Sequence, residues 1–143
     1  MPDARAVDLK FADIGIGDRA SFRCTITAQV VQSFAAMTGD LNPIHFEAEH
    51  AVSMSFDRPI VHGMLLASLF SRLVGMLLPG RRGLYLSQNV DFVGPVYVGE
   101  EVEVVGEVRR KQEATRALVI RTSIDVVPGR AAVRGKAHVQ VHD

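Results

Sequence analysis

The second half of the chain alternates between apolar and polar residues with a period of two, which is typical of strands with one buried face. The predicted inward positions of four strands are Leu84, Leu86, Val90 and Phe92; Val102, Val104 and Val108; Leu118, Ile120, Ile124 and Val126; and Val133, Ala137, Val139 and Val141. A shorter strand is predicted over residues 20–26, and an irregularity is predicted at Val105-Gly106. Gly-Pro and Pro-Gly pairs mark short turns between these strands. Strands joined by short turns pair antiparallel, so we expect an antiparallel sheet.

Two helices precede and interrupt these strands. The first is predicted over residues 28–38, with Thr27 as its N-cap and Gly39 as a left-handed C-terminal residue. A short helical turn is predicted near residues 47–52. The second long helix begins around His62-Gly63, runs to Leu78 and ends at Pro79-Gly80. It is apolar nearly all round, so other structure must surround it.

These elements together predict an α+β fold. One face of the antiparallel sheet is apolar and must be covered. Helix 63–78 is the only candidate of adequate length. We therefore expect a single domain over residues 1–143, in which a curved antiparallel sheet is wrapped around one central apolar helix.

Composition excludes several classes of function. The chain of 143 residues has 16 Lys and Arg against 16 Asp and Glu, so charge gives no reason to expect a nucleic-acid partner. Its single cysteine, Cys24, excludes an intrachain disulfide and a cysteine metal cluster, which fits a reducing cytoplasm. The N-terminus carries charges where a signal peptide needs an apolar run. The apolar stretch 60–78 is interrupted by His62, Gly63 and Arg72, which favours a buried helix over a membrane span.

Polar residues capable of acid–base chemistry cluster between the two helices. Asp40, Asn42, His45 and His62 crowd around the irregular segment after the first helix and the start of the second. A carboxylate and an imidazole five residues apart on such a loop can face one another and add or remove water. The structural alternative is that Asp40 and Asn42 only cap a turn.

The start of the second helix offers a different group. Its first backbone amides lie at the positive end of the helix dipole and can polarise a carbonyl oxygen, and Gly63 permits close approach because it has no side chain. The alternative is that Gly63 only permits tight packing. The spacing of His45, Glu47, Glu49 and His50 matches no common zinc pattern, so no metal is expected.

Three stretches of the chain form a recognisable pattern. Residues 34–45 read Phe-Ala-Ala-Met-Thr-Gly-Asp-Leu-Asn-Pro-Ile-His, and Ala51 follows. This stretch resembles the hydratase-2 motif of the MaoC-like (R)-specific enoyl-CoA hydratases. Met37 departs from the branched aliphatic residue that the family more often has there. Residues 58–68 and 85–92 are also similar, so that the resemblance covers nearly the whole chain from Ala20.

The resemblance implies a hot-dog fold, a homodimer and syn addition of water to trans-2-enoyl-CoA, giving (R)-3-hydroxyacyl-CoA without a cofactor. Asp40 and His45 are then the catalytic pair, although the sequence does not assign base and acid between them. The Gly63 amide binds the thioester oxygen, Asn42 orients the loop and Ser71 helps to fix the pair. The acyl pocket, placed by hydrophobic position beside the central helix, is expected near Leu65, Phe70 and Val74.

Other activities share this pattern. A (3R)-hydroxyacyl-ACP dehydratase uses the same residues in the reverse direction on an acyl-carrier-protein substrate. A hot-dog acyl-CoA thioesterase belongs to another reaction class, and the full Asp-x-Asn-Pro-x-His motif argues against it. A noncatalytic acyl-binding subunit has no reason to retain both Asp40 and His45. The sequence leaves open the carrier, the acyl chain length and the physiological direction.

Overall fold

A computed structural model describes residues 4–143. The expected domain and its charged N-terminal stretch both begin at residue 1, so their first three residues lie outside the described part. The long elements are β1 (Arg19–Thr25), α1 (Ala28–Thr38), α2 (Ala48–Ser53), α3 (Gly63–Arg72), β2 (Gly83–Phe92), β3 (Glu101–Gln112), β4 (Ala117–Val126) and β5 (Arg130–Val141). Short 3₁₀ turns cover Phe11–Asp13 and Pro43–His45, and a π-helical segment, Leu73–Leu77, continues α3.

The five strands form one antiparallel sheet in the order β1-β3-β4-β5-β2, with β1 and β2 at its edges. Helix α3 packs in the concave face of this sheet, where Leu66, Phe70 and Leu73 are buried among the inward valines of the strands. This is the hot-dog arrangement, so the predicted α+β fold is confirmed. No helix within residues 4–143 has the length and apolar character needed to cross a bilayer.

Helix α1 begins and ends where the sequence predicts. The hydroxyl of Thr27 accepts a hydrogen bond from the Val30 amide at 3.2 Å, which satisfies one of the free amides of the first turn. Gly39 ends the helix with φ 81°, a left-handed conformation that a residue without a β-carbon adopts at little cost. The chain therefore leaves α1 at a defined angle directly before Asp40.

The irregularity predicted at Val105-Gly106 is wrong. Gly106 pairs in regular register with Thr122, and the register shift lies between Val108 and Arg110. Gly106 serves packing instead, because a β-carbon there would lie 2.8 Å from Cδ2 of Leu73. The glycine lets the end of the central helix approach the sheet closely.

The predicted inward face of β2 is also wrong at both ends of the strand. Leu84, Leu86 and Phe92 are 51%, 54% and 52% exposed, whereas Tyr85 and Val90 pack against the core. A register shift between Tyr85 and Ser87 inserts one residue and reverses the alternation, which no hydrophobic pattern alone reveals. As a result, the edge strand β2 presents apolar side chains to solvent.

Candidate active site

The loop that carries Asp40 is fixed by its own hydrogen bonds. The Asn42 amide donates to Oδ1 of Asp40 at 3.1 Å, and the Ile44 amide donates to the side-chain oxygen of Asn42 at 3.1 Å. Pro43 begins the 3₁₀ turn that ends at His45. Asn42 therefore caps this turn, while Asp40 keeps Oδ2 directed at the histidines. The capping and functional interpretations of this segment are compatible.

His45 is oriented by the main chain of a distant segment. Its Nδ1 lies 2.7 Å from the carbonyl oxygen of Ile60. Because a carbonyl only accepts, Nδ1 must carry the proton and donate it. Nε2 is then the unprotonated nitrogen, and it lies 3.9 Å from Oδ2 of Asp40. One water molecule can hydrogen-bond to both atoms across such a gap.

The surroundings keep this imidazole uncharged. Burial lowers the pKa of His45 below its usual 6.5, and the neighbouring His62 acts in the same direction. The Ile60 carbonyl and the Asp40 carboxylate oppose this by raising the pKa of His45, but burial is the largest influence. At neutral pH the ring is therefore neutral and ready to accept a proton.

A third polar side chain, His62, completes the cluster. Its Nε2 lies 3.0 Å from the carbonyl oxygen of Asp40, and its ring stacks on that of His45 with centroids 3.7 Å apart. The sequence groups His62 with the loop residues but assigns it no role. Its position directly before Gly63 is the only signal in the sequence that points to it.

Asp40, His45 and His62 offer ligand atoms within 4.8 Å of one another, so a metal site has to be considered. Both Nε2 atoms face one carboxylate oxygen, since Oδ2 of Asp40 lies 3.9 Å from Nε2 of His45 and 4.0 Å from Nε2 of His62. A histidine binds zinc through a ring nitrogen that carries no proton. Nε2 of His62, however, carries the proton that it donates to the Asp40 carbonyl, so it has no lone pair to offer a metal. The arrangement suits proton transfer better than metal binding.

Gly63 lies at the N-terminus of α3, where an α-helix supplies no internal acceptor for its first amides. The amides of Leu65 and Leu66 already bond to the His62 carbonyl. A β-carbon on Gly63 would lie 2.9 Å from the ring of Phe92, so the glycine also permits close packing. The packing role of Gly63 is therefore observed, and a contact of its amide with a thioester oxygen stays a prediction.

These groups open on one cavity of about 500 Å³. Asp40, His45, His62 and Gly63 form its polar end. Its apolar wall is made by Phe56, Ile60, Val61, Met64, Leu66, Phe92, Val93, Pro95 and Val96. A few convergent polar groups in a largely apolar hollow are typical of a small-molecule site.

Four other predicted site residues lie outside this wall. Ser71 is exposed and follows Gly63 by eight residues, which is about 12 Å along the helix axis. Leu65 and Phe70 are buried in the core between α3 and the sheet, and Val74 is buried in a second core cluster with Phe11. Roles for Ser71 beside the catalytic pair and for the other three in an acyl pocket stay predictions.

The sequence that forms this fold and its polar cluster matches a known protein family. The MaoC-like domain matches residues 13–127, which include the whole polar cluster. The chain belongs to the MaoC-like family. Within that family it is 42% identical over 126 residues to the (R)-specific enoyl-CoA hydratase of Aeromonas caviae, covering 88% of this chain and 94% of the relative.

Solved structures of relatives have the same fold. The (R)-hydratase of A. caviae superposes with a TM-score of 0.86 at 41% identity, covering 90% of this chain and 98% of that structure. An unliganded (R)-hydratase of Pseudomonas aeruginosa gives a TM-score of 0.89 at 30% identity, covering 96% of this chain and 88% of the other. The hot-dog architecture of this MaoC-like protein is therefore shared over nearly its full length.

Proposed function

We propose that this MaoC-like protein is an (R)-specific enoyl-CoA hydratase, a hydro-lyase that adds water to the double bond of trans-2-enoyl-CoA. The observation that carries the proposal is the convergence of Asp40, His45 and the Gly63 amide on one apolar cavity. The similarity to the A. caviae hydratase supports the same reaction class.

The reaction follows from the positions of these groups. A water molecule held between Oδ2 of Asp40 and Nε2 of His45 loses one proton to the pair, and its oxygen forms a bond to C3. The C2–C3 π electrons move toward the thioester carbonyl, whose oxygen gains negative charge and accepts a hydrogen bond from the Gly63 amide. The electron pair then returns to C2, which takes the proton from the pair. Both hydrogen and hydroxyl come from the same side, giving syn addition.

This scheme balances without an electron acceptor, because hydroxide and a proton from one water molecule are both retained in the product. It therefore asks the protein for an acid–base pair, an oxyanion donor and an apolar slot, and no cofactor beyond the CoA of the substrate. Asn42 holds the loop through its bond to the Ile44 amide. We expect the acyl-CoA to be the small-molecule partner, and we place the protein in the cytoplasm.

We further propose that two copies form a homodimer through β2. One side of this edge strand has no neighbouring strand within residues 4–143, and Leu84, Leu86 and Phe92 along it are at least half exposed. Pairing two such edges covers apolar surface and removes an unpaired row of backbone groups from each copy. Met64 and Val93 are also more than half exposed, and both line the cavity wall together with Phe92, the last residue of β2.

A second candidate function is dehydration of a (3R)-hydroxyacyl group on acyl-carrier protein. A mitochondrial 3-hydroxyacyl-[acyl-carrier-protein] dehydratase of Arabidopsis thaliana is 34% identical over 87 residues, although the chain spans only 51% of that relative. The same three groups catalyse the reverse reaction, so only the carrier and the direction distinguish the two.

One experiment separates these functions from a thioesterase and from a noncatalytic subunit. Purified protein is incubated with crotonyl-CoA while enoyl absorbance is followed and free thiol is assayed in parallel. Loss of the enoyl signal without thiol release is the expected result. Thiol release would identify a thioesterase, and neither change would identify a binding subunit. The same assay with crotonyl-acyl-carrier protein then compares kcat/KM between carriers.

A further inference from the structure

His62 is a buried polar side chain for which the proposed reaction has no direct use. It is 2% exposed, and it is one of two buried polar or charged residues within residues 4–143. Phe34 packs against its ring at 4.9 Å between centroids. An apolar residue could fill the same volume without burying polar atoms, so the imidazole requires another explanation.

The hydrogen bonding of His62 selects one chemical form. The Asp40 carbonyl can only accept, so Nε2 of His62 carries a proton and donates it over 3.0 Å. Its Nδ1 is buried and has no hydrogen-bond partner among the described residues. A second proton on Nδ1 would therefore lack an acceptor, and the neutral Nε2–H tautomer is the form that the site accommodates.

The same ring limits the motion of the catalytic histidine. The His45 imidazole is held in its plane by the Ile60 carbonyl at Nδ1 and is covered on one face by His62, with 3.7 Å between ring centroids. Rotation of His45 about its outer bond would move its ring into His62. The stack therefore helps to keep Nε2 of His45 aimed at Oδ2 of Asp40.

His62 is also joined by a peptide bond to Gly63, the proposed oxyanion donor. Its carbonyl accepts the amides of Leu65 and Leu66 and so begins the hydrogen bonding of α3. One residue thus contacts the main chain of Asp40, the ring of His45 and the first turn of the helix. Each of the three catalytic groups is fixed relative to the others through this side chain and its backbone.

We propose that His62 is a positioning residue, which as the neutral Nε2–H tautomer holds Asp40 and His45 in register with the Gly63 amide. The proposal rests on the hydratase function proposed above. It does not make His62 an acid or a base, because Nε2 is committed to the Asp40 carbonyl. Its effect on the rate is through geometry, where a displacement of about 1 Å can cost about 10²-fold.

Three variants separate the hydrogen bond from the ring. His62→Gln keeps an N–H donor but removes the stacked ring, His62→Phe keeps a ring but removes the donor, and His62→Leu removes both. We expect kcat on crotonyl-CoA to fall by about 10²-fold in His62→Leu with little change in KM. The Gln and Phe variants each keep one of the two interactions, so kcat should fall less in each of them than in His62→Leu. Ile120→Val, a change in the core away from the cavity, controls for stability.

Nitrogen NMR of the histidine rings provides a readout that does not depend on turnover. In the wild-type protein we expect His62 to be protonated at Nε2 only and His45 at Nδ1 only. In the His62 variants the His45 ring loses its stacking partner and can turn away from the Ile60 carbonyl, so its signals should show a mixture of tautomers while circular dichroism stays normal. A purely structural role would leave the His45 tautomer unchanged in every variant that folds.

The outcomes distinguish this proposal from the function on which it rests. If the wild-type protein does not hydrate crotonyl-CoA, the hydratase assignment fails, and the NMR measurement still decides whether His62 holds the His45 ring against the Ile60 carbonyl. Wild-type kcat in folded His62→Leu would overturn the positioning role. Protonation of His62 at Nδ1 in the wild-type protein would overturn it too. The role would also be overturned if kcat fell no further in the three His62 variants than in Ile120→Val at equal thermal stability.

Discussion

Substitution of Gly63 by alanine tests the proposed thioester contact at the start of α3. The added β-carbon would lie 2.9 Å from Cε1 and 3.0 Å from Cζ of Phe92, where ordinary contacts begin at 3.4 Å. The ring must therefore move by about 0.5 Å, judged against ordinary packing distances. Because Phe92 is 52% exposed, it can rotate away from the helix. We expect a stability cost of about 1 kcal/mol, the lower end for overpacking.

The effect on activity should be much larger. The methyl group occupies the space beside the amide through which the thioester oxygen approaches. Removal of one oxyanion donor typically costs about 10²- to 10³-fold in rate, or about 2.7–4 kcal/mol in the transition state. We expect kcat/KM of Gly63→Ala for crotonyl-CoA to fall within that range while the melting temperature changes little.

Two controls isolate the cause. Gly75→Ala introduces the same methyl group where no atom beyond its chain neighbours and its own helix backbone lies within 4 Å, so its activity should equal that of the wild-type protein. Gly63→Ala combined with Phe92→Leu removes the clash with the ring but keeps the methyl group beside the amide. Full activity in Gly63→Ala would refute the thioester contact. Full recovery in the double variant, measured against Phe92→Leu alone, would show that displacement of Phe92 had caused the loss.

Four further predictions concern the catalytic pair, its pH dependence, the acyl pocket and the assembly. Asp40→Asn and His45→Gln should each reduce kcat by about 10²- to 10⁴-fold with normal circular dichroism, and the double variant should be little worse, because the two act as a unit; most of the activity surviving in either would contradict their assignment. Because burial lowers the pKa of His45 below 6.5, kcat/KM should fall only when the pH drops through this lowered value, and an acid limb centred at or above 6.5 would contradict the argument. Below pH 6.5 the unfolded chain binds more protons at this ring than the folded one, so the unfolding free energy from urea titrations should decrease toward acid pH. If the acyl slot reaches Val74, Val74→Phe should reduce kcat/KM more for eight-carbon than for four-carbon enoyl-CoAs, by about 0.8 kcal/mol for each excluded methylene. An equal loss at all chain lengths would show that Val74 only packs the core. Sedimentation at micromolar concentration should give a dimer, and monomer alone would contradict pairing through β2.

Features determined by neighbouring residues could be predicted from the sequence. Thr27 and Gly39 bound α1 through contacts within one helical turn, and the loop after it is closed by the side chains of Asp40 and Asn42 on amides two residues ahead. Such short-range bonds depend on residue type and spacing alone. Asp40 and His45 lie five residues apart on this locally determined loop, so the sequence alone can indicate them as the candidate acid–base pair.

Features determined by distant contacts could not be predicted in this way. The alternation along β2 gives no sign that one residue is inserted after Tyr85, because the shift is defined by pairing with β5. Gly106 resembles a break in a strand, whereas its role depends on Leu73, which is far away in sequence and packs above it. His62 likewise shows its contacts with Asp40 and His45 only once the chain has folded.

The main chain at Ile60 explains how the two halves of the site come together. Its amide donates to the Ile44 carbonyl at 3.2 Å, and its carbonyl accepts from Nδ1 of His45 at 2.7 Å. The next amide, that of Val61, bonds to the Val96 carbonyl at 2.7 Å in the segment between β2 and β3. The backbone that selects the tautomer of His45 therefore runs directly into the first turn of α3. Because His45 hydrogen-bonds to this braced segment and Gly63 directly follows it, the spacing between the proposed base and the proposed oxyanion donor is set by the folded main chain.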